Sequence, residues 1–144
     1  MTSKSLAKVI AHAALSKKAH DVTILDLRKL TTMTDYFVIC SVDSDTQARA
    51  VADAIKNESL DKGESSVRKE GYSEARWVLL DYVDVVAHVF HKETREFYSL
   101  EKLWGDATFE YVNDDPARNV RSRVKADTAQ PTKKKSVRKK TAKE

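Results

Sequence analysis

Apolar positions in the first third of the chain predict one amphipathic helix followed by two strands. A helical repeat over residues 4–19 is carried by Leu6, Val9, Ile10, Ala13 and Ala14. The β-branched run Val22–Leu27 predicts the first strand, and Asp35–Val42 the second. Because the second run is almost continuously apolar, we expect a strand covered on both faces.

A second helix is predicted from its boundary signals as well as its apolar positions. Ser44 and Gln47 have the spacing of a capping box, and Gly63 after Lys62 is typical of a helix end. Its apolar face comprises Ala48, Val51, Ala52 and Ile55. A short strand is predicted next, near residues 65–69.

Two further strand-like runs, Arg76–Tyr82 and Val85–Phe90, are separated only by Val83 and Asp84. This spacing predicts a tight hairpin, although Val-Asp is not a preferred two-residue turn. The register that follows pairs Tyr82 with Val85, Asp81 with Val86, Leu79 with His88, and Trp77 with Phe90.

The period of two divides the hairpin into two unlike faces. One face is plainly core and comprises Val78, Leu80, Tyr82, Val85, Ala87 and Val89. The other mixes large aromatic with polar side chains and comprises Trp77, Leu79, Asp81, Val86, His88 and Phe90. That mixture suits a surface that is apolar but not permanently dry.

Helical spacing returns from Glu93, with Phe97, Leu100 and Trp104 on one stripe and Gly105 as a possible end. The predicted order is helix, strand, strand, helix, strand, hairpin, helix. We therefore predict an α/β (α+β) fold in which a mixed sheet is flanked by helices.

Charge separates the chain into two parts. Residues 1–112 hold 15 Lys and Arg against 18 Asp and Glu, whereas residues 113–144 hold 11 against 4. The first part is predicted to be one folded, mildly acidic domain, and the second a disordered tail rich in Lys and Arg. An acidic domain is poorly suited to coat nucleic acid with its own surface and better suited to a basic protein.

Several function classes are disfavoured by composition. Cys40 is the single cysteine, so neither an intrachain disulfide nor a cysteine-based zinc site can form. The N-terminal residues lack the apolar centre of a signal peptide, and no run approaches the roughly 20 apolar residues of a membrane span. We expect a cytoplasmic protein that does not enter a membrane.

No motif supports a metal or catalytic centre. His88 and His91 would point to opposite sides of a strand, so a shared metal ion is not expected. Asp43 and Asp45 faintly resemble the paired carboxylates of nucleotidyl transfer, but helix capping explains them more economically. Cys40 lacks a basic neighbour, and no glycine-rich phosphate loop is present. We predict no catalytic residue, metal or cofactor.

The aromatic residues of the last third can be interpreted either as core or as an interface. Taken singly, Trp77, Tyr98 and Trp104 would more often be core. However, acidic and polar residues lie close to them in sequence or across the hairpin, namely Glu70, Asp81, His88 and Glu101. These neighbours favour an interface for a cationic partner.

Several blocks, in order, resemble the ribosomal silencing factor (RsfS, or Iojap) family. They are TDYFVICS (34–41), SDTQARAVADAI (44–55), EG (70–71), RWVLLDYVDVVAHVFH (76–91) and REFYSLEKLWGDA (95–107). The resemblance extends from Leu6 to Ala107. The chain departs from the family pattern at Val83, where glycine is common, and within residues 41–43, where the family has a glycine.

The resemblance implies a nucleotidyltransferase-like fold without the catalytic carboxylates, and a translational repressor that is not an enzyme. Family members bind the fourteenth protein of the large ribosomal subunit at the intersubunit face and block joining of the small subunit. Some are linked to large-subunit assembly, and some self-associate as homodimers.

We accordingly predict a partner-binding surface formed by Trp77, Leu79, Asp81, His88, Tyr98 and Glu101, with Glu70 and Trp104 at its margin. Two alternatives stay open: a nucleotidyltransferase-like enzyme that uses Asp43 and Asp45, and an RNA-binding module driven by the tail. If the partner-binding surface is correct, the tail makes at most an electrostatic contact with ribosomal RNA.

Overall fold

The computed structural model of the chain describes residues 1–113, so the predicted basic tail lies almost wholly outside the described residues. In chain order the elements are α1 (Ser3–Ser16), β1 (His20–Asp26), β2 (Tyr36–Val42), α2 (Asp45–Asp61), β3 (Arg68–Glu70), β4 (Trp77–Asp81), β5 (Val85–His91), α3 (Lys92–Tyr98), α4 (Leu100–Leu103) and β6 (Thr108–Val112). The predicted order of elements is confirmed as far as β5.

The six strands form one sheet in the order β3-β4-β5-β2-β1-β6. β2 and β5 run parallel at its centre, and every other neighbouring pair is antiparallel. The mixed sheet is therefore confirmed. Its parallel pair is joined by the long crossover that contains α2, β3 and β4.

The main core lies between α1, α2 and one face of the sheet, called here the helix-covered face. The hairpin side chains predicted as core, Val78, Leu80, Tyr82, Val85, Ala87 and Val89, are all buried in it. The predicted hairpin register is also confirmed, with Trp77 opposite Phe90, Leu79 opposite His88, and Asp81 opposite Val86.

The start of α2 follows the predicted capping box with one difference. Ser44 Oγ accepts a hydrogen bond from the Gln47 N–H at 3.1 Å, as predicted. The Gln47 side chain, however, accepts from the N–H of Asp43 at 2.8 Å, one residue before the expected partner. At the other end Gly63 adopts a φ of +84°, as predicted for a glycine that terminates a helix.

The turn of the hairpin has an unusual backbone. Asp84 N–H donates to the carbonyl of Tyr82 at 2.9 Å, and Val83 between them has a φ of +74°. These are the features of a γ-turn whose central residue is left-handed. A β-branched side chain is disfavoured there, whereas glycine adopts such a conformation without a steric penalty.

The prediction of one helix from Glu93 to Trp104 is wrong. The chain forms two short helices, α3 and α4, because Ser99 takes a left-handed conformation with a φ of +50°. The break takes Phe97 off the apolar stripe. Phe97 is 81 % exposed, whereas Leu100 and Trp104 pack against the sheet.

The strand β6 was not predicted. It is an edge strand paired with β1, in which Phe109 lies opposite Leu25 and Val112 opposite Val22. Apolar and polar residues alternate only weakly in its sequence, TFEYV. The strand forms because it pairs with β1, not because of its own sequence pattern.

Candidate partner-binding face

The side of the sheet opposite α1 and α2 carries a cluster of ring side chains, called here the aromatic face: Phe37, Trp77, His88, Phe90, Tyr98 and Trp104. The segment from α3 to α4 crosses this side from the end of β5 to the start of β6. It packs over Leu25, Leu27, Ile39 and Phe90. Leu79, Asp81 and Val86 on β4 and β5 stay only half buried.

Trp77 is the central side chain of the aromatic face. Its ring is backed by buried Phe90, at a centroid distance of 4.7 Å, and contacts Tyr98 at 4.8 Å. Tyr98 is itself 51 % exposed. A half-buried tryptophan supported from below and flanked by an exposed tyrosine has the features of an interface anchor.

Phe37 extends the aromatic face toward Trp104. Its ring lies 4.5 Å from the ring of His88 and 6.0 Å from that of Trp104, edge-on in both cases. The sequence analysis placed Phe37 inside an apolar strand and did not single it out. Its side of the sheet could have been found from the period of two, which places Phe37 and Ile39 on the face opposite Val38, and Phe37 is the one residue of β2 that is not buried.

His88 does not lie on the surface, which corrects the prediction that it contacts a partner. It is 4 % exposed, and burial lowers the pKa of its imidazole to about 3. Its Nδ1 accepts a hydrogen bond from Nε1 of Trp77 at 3.0 Å. His88 therefore supports Trp77 from beneath instead of contacting a partner itself.

The predicted acidic residues are on or beside the aromatic face, but each already has an arginine partner. Glu70 lies 3.1 Å and Asp81 3.5 Å from the guanidinium of Arg68. Glu101 binds the guanidinium of Arg95 at 2.5 Å. Glu70, Leu79 and His88 are opposite one another on β3, β4 and β5, so Glu70 marks the outer margin of the surface.

The structure thus brings together Trp77, Leu79, Asp81 and Tyr98. Trp104 lies across Phe37, and Glu101 lies on α4, paired with Arg95. Two exposed side chains nearby were not predicted: Phe97 and, at 73 % exposure, Leu103. Helical periodicity placed Phe97 on one stripe with Leu100 and Trp104, and the break at Ser99 separates it from them.

The residues weighed for other chemistry lie apart from the aromatic face. Oδ1 of Asp43 lies 3.1 Å from Nε2 of His20 and 3.8 Å from Nζ of Lys92. Asp45 is the first residue of α2. Within residues 1–113 no group of three His, Cys, Asp or Glu side chains could hold a metal ion. Burial raises the pKa of the Cys40 thiol to about 12, which fits a core side chain.

Among the described residues, no helix is both long and apolar enough to span a bilayer.

The arrangement defines a class of protein: an α/β domain with α1 and α2 on one face of a six-stranded mixed sheet and, on the other, a partly open aromatic surface crossed by the short helices α3 and α4. A family model described as "Ribosomal silencing factor during starvation" matches residues 1–144. The chain belongs to this family.

Relatives and solved structures agree with that membership. The chain is 48 % identical over 107 residues to ribosomal silencing factor RsfS of Bacillus subtilis, covering 74 % of this chain and 91 % of the relative. It is 37 % identical over 107 residues to chloroplastic protein Iojap of Zea mays, covering 72 % of this chain and 45 % of that protein.

Crystal structures of proteins from Chromobacterium violaceum and Bacillus halodurans are similar to most of the described domain. They superpose with TM-scores of 0.71 and 0.64 at 32 % and 42 % identity. The first match covers 73 % of this chain and 88 % of the other, and the second covers 70 % and 94 %.

Proposed function

We propose that this protein represses translation by docking its aromatic face on the large ribosomal subunit. The partner is the subunit's fourteenth protein, and the bound domain keeps the small subunit from joining. The mechanism is steric, with no catalytic step and no cofactor. Family membership and the shared name of the bacterial relatives support a role at the ribosome.

The observation that carries the proposal is the packing of Trp77. It lies half buried between Phe90 below and Tyr98 beside it, next to half-exposed Leu79 and Asp81. Truncating such an anchor costs on the order of 2 kcal/mol, or roughly 30-fold in affinity. Because Asp81 and Glu70 share a single arginine, Arg68, this group of three keeps a net negative charge that suits a basic ribosomal protein.

The test is co-sedimentation of Trp77→Ala with purified large subunits, followed by light scattering on addition of small subunits. We expect at least roughly tenfold weaker binding and restored subunit joining. Tyr72→Ala is the matched control, because Tyr72 is a half-buried aromatic on the helix-covered face. A folded Trp77→Ala that pellets and blocks joining like the wild type contradicts the proposal.

The free protein is also proposed to be cytoplasmic and able to form homodimers, as the family resemblance implies. Analytical ultracentrifugation without ribosomes measures the dimer. If the aromatic face is shared by both interactions, Trp77→Ala weakens both.

A further inference from the structure

We propose that Arg95 is the positioning residue of the docking surface, fixing α3 and α4 on the sheet so that their aromatic side chains face the partner. This inference rests on the proposed function above. It concerns a residue that the sequence patterns did not single out.

The guanidinium of Arg95, on α3, makes four hydrogen bonds to three other elements, α4, β1 and β2. Its Nε donates to Glu101 on α4 at 2.7 Å. Its Nη1 donates to the carbonyl of Asp21 at 2.7 Å and to Ser41 Oγ on β2 at 2.9 Å, and its Nη2 to Thr23 Oγ1 on β1 at 3.3 Å. The side chain is 12 % exposed, so these bonds are largely shielded from water.

The helices that Arg95 connects cannot hold their own shape. α3 has seven residues and α4 has four, and neither contains a buried residue. Isolated helices shorter than roughly 12–15 residues are marginal in water. Their conformation therefore depends on contacts with the sheet, which include those of the partly buried Leu100 and Trp104, the ring contact of Tyr98 with Trp77 and the Arg95 network.

Two uncommon backbone conformations make the network possible. Ser99, at a φ of +50°, folds α4 back so that Glu101 reaches Arg95. Asp21, at a φ of +51°, lies in the irregular stretch of β1 between His20 and Thr23 and contributes its carbonyl. Left-handed conformations of such residues persist where the surroundings determine them strongly, and they cluster at functional sites.

The network also places the two flanking aromatic residues. Tyr98 is three residues beyond Arg95 on α3 and reaches Trp77, while Trp104 ends α4 and reaches Phe37. An arginine is required because its planar fork serves the carboxylate and three neutral oxygens at once. A lysine at this position cannot reproduce that geometry.

The experiment compares Arg95→Met and Glu101→Gln for large-subunit binding, urea stability and tryptophan emission. Trp77→Phe is used as background for the emission measurement, because it leaves Trp104 as the single tryptophan. We expect about tenfold weaker subunit binding for Arg95→Met and a red shift of Trp104 emission before global unfolding. Glu101→Gln changes both in the same direction, and the double variant is not additive.

Arg28→Gln is the control, since it removes another arginine–carboxylate pair, with Asp26 at 2.7 Å, outside α3 and α4. Folded Glu101→Gln that binds and emits like the wild type overturns the inference even if Arg95→Met does not fold. Trp77→Ala separates the two proposals. If it binds normally the proposed function fails, and if it binds weakly while the Arg95 and Glu101 variants bind normally, only the positioning role fails.

Discussion

The indole of Trp77 and the imidazole of His88 lie diagonally across the β4–β5 hairpin and share a 3.0 Å hydrogen bond from Nε1 to Nδ1. Only a neutral imidazole with its proton on Nε2 can accept that bond. Within residues 1–113, Nε2 has no hydrogen-bond partner and is shielded from solvent. The orientation of the central anchor thus depends on a buried ring that a partner does not reach.

Replacing His88 is expected to separate stability from binding. His88→Leu removes both the acceptor for Trp77 and the unpaired Nε2 group, so its free energy of unfolding should stay within about 1 kcal/mol of the wild type. Large-subunit binding should weaken several-fold because the indole is no longer fixed. His88→Gln, which can offer an amide oxygen, should retain more affinity. Equal affinity of His88→Leu and the wild type in co-sedimentation would argue against the positioning of Trp77 by His88.

Acid should destabilise the protein through His88. Because burial places the folded-state pKa near 3, below the unfolded value of 6.5, the unfolded state binds more protons between these values. The stabilising contribution is complete above pH 6.5 and falls as the pH decreases, by at most about 1.4 kcal/mol per pH unit. Urea unfolding from pH 4.5 to 7.5 measures this slope, which His88→Leu should reduce.

His20 acts in the opposite direction and provides the comparison. The hydrogen bond to Asp21, followed by that to Asp43, raises its pKa against the effect of burial. Its contribution is therefore complete below pH 6.5 and is lost as the pH rises through the folded-state pKa. His20→Gln should therefore remove the loss of stability that His20 causes as the pH rises above 6.5, and should leave the slope below pH 6.5 unchanged. A His20→Gln variant whose stability changes above pH 6.5 as in the wild type would contradict the assignment.

Glycine in place of Val83 should stabilise the domain. The left-handed backbone costs a β-branched residue more than it costs glycine, and the side chain is 55 % exposed, so little packing is lost. We expect a gain of about 1 kcal/mol, which corresponds to a rise in Tm of roughly 4–8 °C for a domain of this size. Val83→Ala keeps the unfavourable conformation and should gain less. A lower Tm for Val83→Gly in calorimetry would show that the γ-turn is not strained.

Deletion of Gln130–Glu144 tests the electrostatic contribution of the tail. This segment holds seven Lys and Arg residues and one Glu, and it lies outside the described residues. We expect weaker large-subunit binding whose affinity falls less steeply with salt, because fewer counterions are released from RNA. Near-complete loss of binding would instead favour an RNA-binding module driven by the tail. The matched control is a variant in which the same residues are Gln or Ser.

The parts of the fold predicted correctly are those where local pattern and tertiary packing agree. Strict alternation on both sides of Val83 fixed the pairing of Leu79 with His88, since a shift by one residue would turn the core side chains outward. The strand β6 was missed because its place depends on β1. The single helix was wrong because a left-handed serine is invisible to periodicity.

The candidate site was predicted in outline, and its internal support was not. Trp77, Leu79 and Tyr98 could be assigned to a surface from the alternation of side chains along the hairpin and from their polar and acidic neighbours. The burial of His88 and the four connections of Arg95 arise from residues distant in sequence, such as Ser41 and Asp21. No pattern within one segment could reveal them.

The segment from α3 to α4 is anchored at both ends, to the central strand β5 and to the edge strand β6. β6 pairs only with β1 among the described residues, so we expect a change in the position of this segment to alter the pairing of Thr108–Val112. Amide hydrogen exchange in β6 should therefore slow when the aromatic face is occupied, although β6 lies at the far edge of the sheet from β4. The exchange rate of the β6 amides would then report whether the domain is bound to a partner.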